Sequence, residues 1–343
     1  MRITDVKTAD ELRGFMTTPS DGLVELMGQL EGDVLVLGAG GKMGGELIET
    51  IQRADRQAGA RRRLMAADLF GRPGACVRLE ESGVETHAGD LADRQFLLTL
   101  PDAPNVFYMA GVKFGSSRDW RLTFHLNCIV PYLVGERFTD SSIVVFSSGN
   151  PYRPVPVSAE PPQEDGELDP QGVYGWTIVG REAAFRTTAL RWPGQRVCLF
   201  RLMYAQHLAY GVLVDLAQMV WRGEPISLRV PAVNLVSQRD AIDVAVRALG
   251  QCANPPLVLN CAGPAVTVRE IARKLGEHMG KEPVLRGPEG ETALLAGDKQ
   301  AVELFGPHRD GVEEMIEAAA RWVIAGGENW ASPTMFGRLR GSY

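Results

Sequence analysis

The chain has 343 residues, of which 45% are hydrophobic and 23% charged, and its formal net charge is −6. This composition is typical of a globular protein, and the length allows one large domain or a domain with an added lobe. Because nucleic acids and anionic membranes require concentrated positive charge, the acidic balance argues against both as main partners. The one basic run, Arg61-Arg62-Arg63, is interpreted as a solvated approach to a strand.

Cysteine usage indicates a reducing compartment. The five cysteines are scattered and form no CxxC pair, which is typical of reduced thiols rather than of a disulfide framework. No His/Cys cluster or carboxylate pair in the sequence predicts a metal site. The amino-terminal sequence resembles no signal peptide, and no apolar run is long enough to cross a bilayer. We therefore predict a cytoplasmic protein.

Two helices are predicted before the first strand. The segments TADELRGFM and DGLVELMGQL have helical apolar spacing, and each follows a residue suited to an N-cap, Thr8 and Ser20. We expect both helices to pack on the sheet. Residues 1–32 are accordingly predicted to be a helical extension.

Short apolar runs then alternate with amphipathic stretches. This alternation predicts βαβ units and a buried, doubly wound parallel sheet, an α/β fold. The predicted strands are residues 34–37, 64–67, 106–110, 143–146, 197–200 and 257–260. Residues 33–200 are predicted to form a nucleotide-binding domain, with a further sheet contribution from about residues 233–262.

The remaining segments are predicted to form a smaller lobe, residues 201–232 and 263–343, over the carboxyl edge of the sheet. Helices are expected across residues 212–221, 268–279 and 311–324, with a strand near residues 226–230. Residues 151–172 are rich in proline and acidic residues, which predicts a long loop. Loops of this length in a compact domain are often functional.

The segment DVLVLGAGGKMGGELIE carries the most specific signal in the chain. An apolar strand leads into Gly38-x-x-Gly41-x-x-Gly44, and a helical pattern follows at once. In a Rossmann-type turn the first glycine permits the bend, the second admits a pyrophosphate, and the third allows close packing of helix on strand. The helix N-terminus adds free N–H groups. The pattern predicts a dinucleotide site that includes Lys42 and Met43, with a ligand-free tight turn as the alternative.

Asp68, at the end of the second predicted strand, decides between two cofactors. Its carboxylate can accept both hydroxyls of an adenosine ribose, and it would repel a 2′-phosphate. Asp68 lies further from Gly38 than the usual spacing of about 20 residues, which a longer first helix would explain. NAD is therefore favoured over NADP, and Arg72 nearby keeps NADP open.

Over roughly residues 33–325 the chain resembles the extended short-chain dehydrogenase/reductase family, the NAD-dependent sugar epimerases and dehydratases. Gly89-Asp90-Leu91 matches the family's step beside adenine, and Met109-Ala110-Gly111 matches its turn beside the cofactor. Lys113 in AGVKFG and Asn127 in FHLNCIVPYL fall on positions near the cofactor. The resemblance implies cofactor contacts by Asp90, Leu91, Met109, Ala110, Gly111, Lys113, Asn127 and Tyr174.

The chain departs from this family at the catalytic positions. The family uses a Ser or Thr after the fifth strand and a Tyr-x-x-x-Lys on the next helix, where this sequence has Gly149, Tyr174 and Ile178. Met203 stands where the family has asparagine. A free phenol with a pKa near 10 is ionised about one time in a thousand at pH 7. Without the lysine, Tyr174 should be a weak base unless another cation is near.

Other residues are candidates to replace the missing groups. Lys113 is expected at the edge of the cofactor. Arg181 lies on the helix face of Tyr174, nearly two turns further on, with a surface salt bridge as the favoured interpretation. Ser148 is preferred to the more buried Ser147 as the replacement hydroxyl. The predicted catalytic residues are Tyr174, Ser148 and Lys113.

Two functions from different classes are consistent with these features. The first is an NAD-dependent oxidoreductase or epimerase-like enzyme acting on a sugar, sugar acid or polyol derivative, with a non-standard acid/base set around Tyr174. The second is a catalytically inactive NAD(P)-binding sensor or interaction protein on the same fold. Tyr174 favours the enzyme, whereas Gly149 and Ile178 favour the sensor. The resemblance also implies a homodimer, packed through helices near residues 127–138 and 174–191.

Overall fold

Strands and helices alternate through the part of the chain that the computed structural model describes, residues 1–72, 74–330 and 334. The strands are β1 Val34–Leu37, β2 Leu64–Asp68, β3 Glu85–Ala88, β4 Asn105–Tyr108, β5 Ser142–Ser148, β6 Val155–Pro156, β7 Arg196–Leu202, β8 Ala205–Gln206, β9 Ile226–Ser227, β10 Ala232–Asn234, β11 Val236–Ser237, β12 Leu257–Cys261, β13 Ala265–Thr267, β14 Leu285–Arg286 and β15 Thr292–Ala293.

The α-helices are α1 Ala9–Met16, α2 Asp21–Gln29, α3 Gly44–Ala58, α4 Ala75–Glu81, α5 Arg94–Thr99, α6 Trp120–Phe124, α7 Val130–Arg137, α8 Gly172–Arg191, α9 Val212–Arg222, α10 Gln238–Arg247, α11 Val268–Met279, α12 Lys299–Phe305 and α13 Val312–Ile324. A π-helical turn, His125–Ile129, joins α6 to α7. Two short 3₁₀ helices span Ile3–Asp5 and Ala248–Gln251.

Seven strands form one parallel sheet in the order β12-β7-β5-β4-β1-β2-β3. This confirms the predicted doubly wound α/β fold. The strand order reverses between β1 and β4, so the connections leaving these strands diverge and open a crevice at their carboxyl ends. Any site that this architecture positions is therefore expected beside the turn after β1 and the loop after β4.

Both faces of the sheet are covered, as the continuous apolar strands require. Val34 and Val36 of β1 face a core shared with α3 and α10, whereas Leu35 and Leu37 face a second core shared with α7 and α8. Burying such a side chain contributes about 1.5–3 kcal/mol. Because neither face is exposed, polar chemistry is confined to the ends of the strands.

The amino-terminal extension divides between two cores. Thr8 and Ser20 cap α1 and α2, as predicted. Helix α2 packs on the sheet core, but the apolar residues of α1 lie in the core of the smaller lobe, together with residues of α9 and α13. The prediction that both helices pack on the sheet is thus wrong for α1. The extension links the lobe to the sheet.

Arg62 corrects the interpretation of the basic run. Its side chain is only 4% exposed and forms an ion pair of 2.9 Å with Asp55 of α3. It also donates hydrogen bonds to the carbonyls of Leu30, at 2.8 Å, and Met27. Arg61 is exposed, as expected. Arg62 instead satisfies the carbonyls at the end of α2 and fixes this helix to α3.

The proline-rich segment after β5 is a structured loop. Its strand β6 pairs with β15, and the Glu164 carboxylate accepts a hydrogen bond of 2.9 Å from the backbone of Asn260. Tyr152 is fully buried and its hydroxyl bonds the Asn260 side chain at 2.7 Å. The loop is therefore fixed against the carboxyl end of β12. Tyr152 therefore has a structural role.

The strands differ from the prediction in two places, at β3, which was not predicted, and near residues 226–230. β3 has no apolar run because it is a partly exposed edge strand with the polar sequence Glu-Thr-His-Ala. The strand expected near residues 226–230 is only Ile226–Ser227. Among residues 1–72, 74–330 and 334, no helix combines the length and apolarity needed to cross a membrane.

Candidate functional site

The glycine turn joins β1 to α3 at the centre of the sheet edge. Gly38 has a φ of 87°, and a Cβ there would lie 2.5 Å from the Ala110 nitrogen. A Cβ on Gly44 would lie 2.2 Å from the Ala39 carbonyl oxygen, so helix and turn require the bare backbone. At Gly41 the nearest atom to such a Cβ is 3.4 Å away. The turn therefore leaves its backbone open to a ligand at Gly41.

Asp68 lies beside this turn at the end of β2. A Cβ on Gly40 would be 2.7 Å from one Asp68 carboxylate oxygen, which also accepts a hydrogen bond of 2.8 Å from Phe70. Arg72 is exposed and borders a cavity of about 730 Å³ that also reaches Gly40 and Lys42. The carboxylate predicted to read a ribose is thus in place, with a cation nearby at the surface.

The neighbouring strand end carries the Gly-Asp-Leu step. The Gly89 nitrogen donates a hydrogen bond of 3.0 Å to the Asp68 carbonyl. The Asp90 carboxylate accepts one of 2.9 Å from Ala92, which fixes its orientation, and Leu91 is buried. The residues predicted to flank adenine therefore lie next to Asp68, at the ends of β2 and β3.

Asn127 holds the loop that follows β4. Its amide accepts a hydrogen bond of 2.9 Å from the Val112 nitrogen and donates one of 2.8 Å to the Val112 carbonyl. It also donates one of 3.0 Å to the Thr177 hydroxyl of α8. The π-helical turn that carries Asn127 is a deviation often found at functional sites. Asn127 thus supports the loop Met109–Gly111 from behind, and its predicted contact with a cofactor stays a prediction.

Tyr174, Ser148 and Lys113 lie together. The hydroxyls of Tyr174 and Ser148 are hydrogen-bonded, and Ser148 accepts a further bond of 2.7 Å from the Asn150 amide. The Lys113 ammonium is 5.5 Å from the centroid of the Tyr174 ring. Burial raises the pKa of Tyr174, and the Arg181 charge and the Ser148 hydrogen bond oppose this rise. The phenol is therefore protonated in the free protein.

The two missing catalytic side chains leave no vacant space. A Cβ on Gly149 would lie 1.9 Å from the Met203 sulfur. The sulfur therefore fills the volume that a serine or threonine at residue 149 would use. Ile178 is fully buried. The departures from the family pattern at Gly149 and Met203 are thus coupled through one packing contact.

Arg181 is the site residue that the sequence analysis undervalued. It is 6% exposed and donates hydrogen bonds of 2.7 Å to the Phe146 carbonyl and 3.0 Å to Asn127. The favoured interpretation, a surface salt bridge, is wrong, because Glu182 pairs instead with Arg201 at 2.7 Å. The spacing between Tyr174 and Arg181 predicts that both lie on one face of α8, but it does not predict how deeply Arg181 is buried. Arg181 places a buried positive charge behind the loop and close enough to influence Tyr174.

Gly111 makes this close approach possible. Its φ is 148°, and a Cβ there would lie 1.9 Å from an Arg181 nitrogen. Any side chain at residue 111 would therefore displace the guanidinium. The Ala-Gly turn that the resemblance identifies serves here to admit an arginine.

Two lysines face the cleft between the sheet edge and the smaller lobe. The Lys42 ammonium is 3.4 Å from the centroid of the Tyr210 ring and 5.6 Å from that of Phe114. The Lys113 ammonium is 5.9 Å from the same Phe114 ring. Burial lowers the pKa of Lys42 to about 8, with a further contribution from Arg72, and lowers that of Lys113 to about 8, with a further contribution from Lys42. Both remain largely charged at pH 7.

Two further polar residues, His207 and Asp240, have structural roles. His207 is buried, lies 3.1 Å from the Glu46 carboxylate, and stacks on Trp330 at 4.5 Å. Asp240 pairs with Arg309 at 2.8 Å, which joins α10 to the lobe. No group of three or more potential metal ligands occurs in the described ranges.

No protein-family model matches the chain, and no curated protein matches it. Solved structures do. A UDP-glucose 4-epimerase from Thermotoga maritima, determined with UDP-glucose, is 18% identical over 86% of this chain and 99% of that chain, with a TM-score of 0.71.

Two further solved structures contain NAD. The Bordetella bronchiseptica enzyme WbmG, in complex with NAD, is 17% identical over 88% of this chain and 96% of its own, with a TM-score of 0.71. A UDP-glucose 4-epimerase from Thermus thermophilus, also in complex with NAD, is 19% identical over 84% and 98%, with a TM-score of 0.67. At these identities the likeness confirms the fold that the resemblance implies.

Proposed function

We propose that the chain is an NAD-dependent oxidoreductase or epimerase-like enzyme acting on a sugar, sugar acid or polyol derivative. The observation that carries this proposal is the hydrogen-bonded pair of hydroxyls, Tyr174 and Ser148, at the sheet edge that also holds the glycine turn. Enzymes of the same fold bind NAD or UDP-glucose in their crystal structures. The function belongs to the site and not to the fold alone.

The residues of the sheet edge fit NAD. Gly41 offers an open backbone next to the N-terminus of α3, where N–H groups and the helix dipole favour phosphate. Asp68 offers a carboxylate for the hydroxyls of the adenosine ribose, which favours NAD over NADP. When bound, NAD supplies a hydride acceptor, or a donor in its reduced form. Asp90 and Leu91 lie where they can flank the adenine.

Tyr174 is proposed to exchange a proton with a substrate oxygen. In the free protein it is a neutral phenol, so it can donate a hydrogen bond or a proton to a carbonyl or alkoxide. Because burial raises its pKa above the ordinary value of 10, acting as a base at pH 7 requires more than about 4 kcal/mol of differential stabilisation. The buried Arg181 charge and the Ser148 hydroxyl supply part of this. General acid–base catalysis of this kind contributes about 10²–10⁴-fold.

Lys113 and Ser148 complete the proposed set. Ser148 is oriented by Asn150 and contacts the phenol, so it can hold the same substrate oxygen. Lys113 contributes a positive charge at the face of the Tyr174 ring. In this arrangement Arg181 and Lys113 share the electrostatic task that a single lysine at residue 178 performs in the family.

The test is turnover by the purified protein with NAD⁺ and a panel of sugars, sugar acids and polyol lactones. Mass spectrometry reads the changed substrate and absorbance reads NADH. We expect Tyr174→Phe to lower turnover about 10²-fold or more. Tyr132→Phe, on α7 and remote from the site, is the matched control. Unchanged turnover in Tyr174→Phe would place the acid/base group elsewhere.

The sensor hypothesis has one observation in its favour. The Met203 sulfur occupies the place of the family's catalytic hydroxyl, and Ile178 is buried where the lysine would be. Saturable NAD⁺ binding with no changed substrate across the panel would favour the sensor over the enzyme. The paired hydroxyls of Tyr174 and Ser148 support the enzyme, since a sensor has no need of them.

A homodimer is also proposed, from the family resemblance and from the exposed apolar side chains of two neighbouring elements. The π-helical turn and α8 are joined by the Asn127–Thr177 hydrogen bond, and both carry exposed apolar side chains. Trp176 is 57% exposed and Ile129 is 51% exposed. A second copy of the chain would cover this surface.

A further inference from the structure

Lys42 is unusual because its charge is buried without a hydrogen-bond partner among the described residues. Its ammonium rests on the Tyr210 ring, and no described carboxylate lies within ion-pair distance. The charged neighbours that influence its pKa are Arg72, which repels it, and Asp215 of α9, which attracts it. A desolvated ammonium in this state gains strongly from an anionic ligand.

The Lys42 side chain crosses from the sheet edge to the smaller lobe. Its backbone belongs to the glycine turn, but its ammonium lies against Tyr210, which precedes α9. The open backbone of the turn is at Gly41, on the path of the cofactor phosphates. The Lys42 charge is therefore displaced towards the lobe, which is the part of this fold expected to contact substrate.

Lys113 lies near the same aromatic ring as Lys42. Both ammoniums lie within 6 Å of the Phe114 ring, at 5.6 Å for Lys42 and 5.9 Å for Lys113. The two positive charges repel each other, and this repulsion contributes to the lowered pKa of Lys113. Lys113 also lies 5.5 Å from the ring of Tyr174. An anion held between the two lysines would relieve their repulsion and would lie close to the proposed reacting centre.

We propose that Lys42 and Lys113 form a binding site for an oxyanion of the substrate, a carboxylate or a phosphate. The substrate is then an acidic sugar or polyol derivative rather than a neutral one. The rings of Phe114 and Tyr210 lie beside the Lys42 charge and form the apolar part of this site. The inference rests on the proposed function for the identity of the reacting centre, but the anion site stands on the geometry of the lysines.

The experiment is calorimetric titration of the protein saturated with NAD⁺. The probes are inorganic phosphate, glucuronate, glucose 6-phosphate and neutral glucose. Inorganic phosphate tests the anion site without any sugar, and we expect a Kd of about 1 mM for this small ion. Glucuronate and glucose 6-phosphate distinguish a carboxylate from a phosphate, and glucose should bind more weakly than the preferred acid.

Substitutions then assign the binding to the lysines. We expect Lys42→Met and Lys113→Met each to weaken phosphate binding at least tenfold, and Lys42→Arg to keep it. Lys299→Met, at an exposed lysine of α12, is the control. Melting temperatures establish that each variant is folded.

Three results would overturn the inference. These are no binding of phosphate, phosphate affinity unchanged in Lys42→Met, or phosphate binding that disappears when NAD⁺ saturates the protein. The last result would assign the lysines to the phosphates of the cofactor. Failure of NAD⁺ itself to bind would count against the proposed function alone, because the same titrations without NAD⁺ still test the lysine pair.

Discussion

Gly149 and Met203 occupy one space beside the proposed acid/base pair. Each residue departs from the family pattern, and in isolation either would read as the loss of a functional group. A Cβ at residue 149 would lie 1.9 Å from the Met203 sulfur, so a side chain there requires the methionine to move, and we expect the two positions to depend on each other. This dependence allows a quantitative test by double-mutant analysis.

We expect Gly149→Ala to destabilise the protein by about 1–3 kcal/mol, because the added methyl overpacks the site. The same change in a Met203→Ala background should cost much less, since the sulfur is gone. Urea unfolding of the four proteins measures the coupling. Gly14→Ala in α1, where no atom lies within 4 Å of an added Cβ, should stabilise by about 0.5–1 kcal/mol. Equal costs of Gly149→Ala in both backgrounds would contradict the coupling.

The depressed lysine pKa values predict an alkaline limit to activity. The pKa of Lys113 and that of Lys42 are each about 8. The ammonium forms are therefore present below pH 8 and are lost as the pH rises through this value. We expect kcat/KM to fall above pH 8. Because the pKa of Tyr174 is raised, its titration does not cause this decline in kcat/KM above pH 8.

Arginine variants identify the titrating groups, because the guanidinium stays charged above pH 12. Lys113→Arg should make the alkaline decline shallower, and Lys42→Arg with Lys113→Arg should remove it. The groups facing these lysines are Arg72, Asp215, Tyr210 and Tyr174. The measurement is a pH profile of kcat/KM. An unchanged decline in the double variant would exclude both lysines as its cause.

At this scale the sequence predicted which residues meet but not how each is used. Motif offsets brought Tyr174, Ser148 and Lys113 to one place correctly. They could not reveal that Arg181 is buried, because a helical spacing defines a face and leaves its depth undefined. They also could not show that Asn127 uses its hydrogen bonds on the loop backbone, which only three-dimensional distances reveal.

Helices and strands position these residues through a few anchors. Helix α8 carries Tyr174 at its first turns and Arg181 further on, and Asn127 joins it to the loop after β4. On the other side of the sheet, Arg62 fixes α2 to α3. The position of α3 sets the glycine turn at its N-terminus, so this remote ion pair supports the edge of the sheet that carries the turn.

The Arg62 anchor predicts a sharp contrast within one basic run. Arg62→Met should destabilise the protein by about 3 kcal/mol, because it leaves Asp55 as a buried, unpaired carboxylate. Arg61→Met should change stability by less than about 0.5 kcal/mol, as for other exposed positions. Urea denaturation measures both. Similar effects of the two substitutions would show that the ion pair contributes little.

The bounds of the helices in the structure agree closely with the predicted bounds where apolar residues recur at a clear helical period. The helix predicted over residues 268–279 has those bounds in the structure. The packing partner of α1 was predicted wrongly because an amphipathic pattern identifies the buried face and not what it packs against. The edge strand β3 lacked a pattern because an edge strand need not be apolar.

The whole molecule presents one face that suits self-association. The exposed side chains on α6, the π-helical turn and α8 include Trp120, Phe124, Ile129 and Trp176. Large exposed apolar patches commonly mark interfaces. The homodimer that the resemblance implies would use the same helices, so the surface and the resemblance support the same proposal.

We expect Trp176→Asp to convert a dimer into a monomer, because it places a charge in the apolar contact. Val284→Asp, at a residue 47% exposed and away from this face, should leave the assembly unchanged. Sedimentation equilibrium measures the mass of each. A parent protein that sediments as a monomer would refute the proposed dimer directly.

At the scale of the molecule the sequence predicted the architecture well. Alternation of apolar runs with amphipathic stretches was sufficient to predict the central sheet, because a parallel sheet requires crossover helices and buried strands. The substrate could not be predicted in the same way. The smaller lobe, which the resemblance implies would contact the substrate, is held together by side-chain contacts between distant segments, and such contacts leave little periodicity in the sequence.

The shared space at Gly149 and Met203 also constrains the order in which these residues could be exchanged. A lineage with a side chain at residue 149 must lose it before a methionine can occupy the neighbouring volume. Once the sulfur is in place, restoring a hydroxyl at residue 149 alone meets a steric obstacle. A hydroxyl-bearing side chain at residue 149 is therefore accommodated most readily after Met203 has been replaced by a smaller residue.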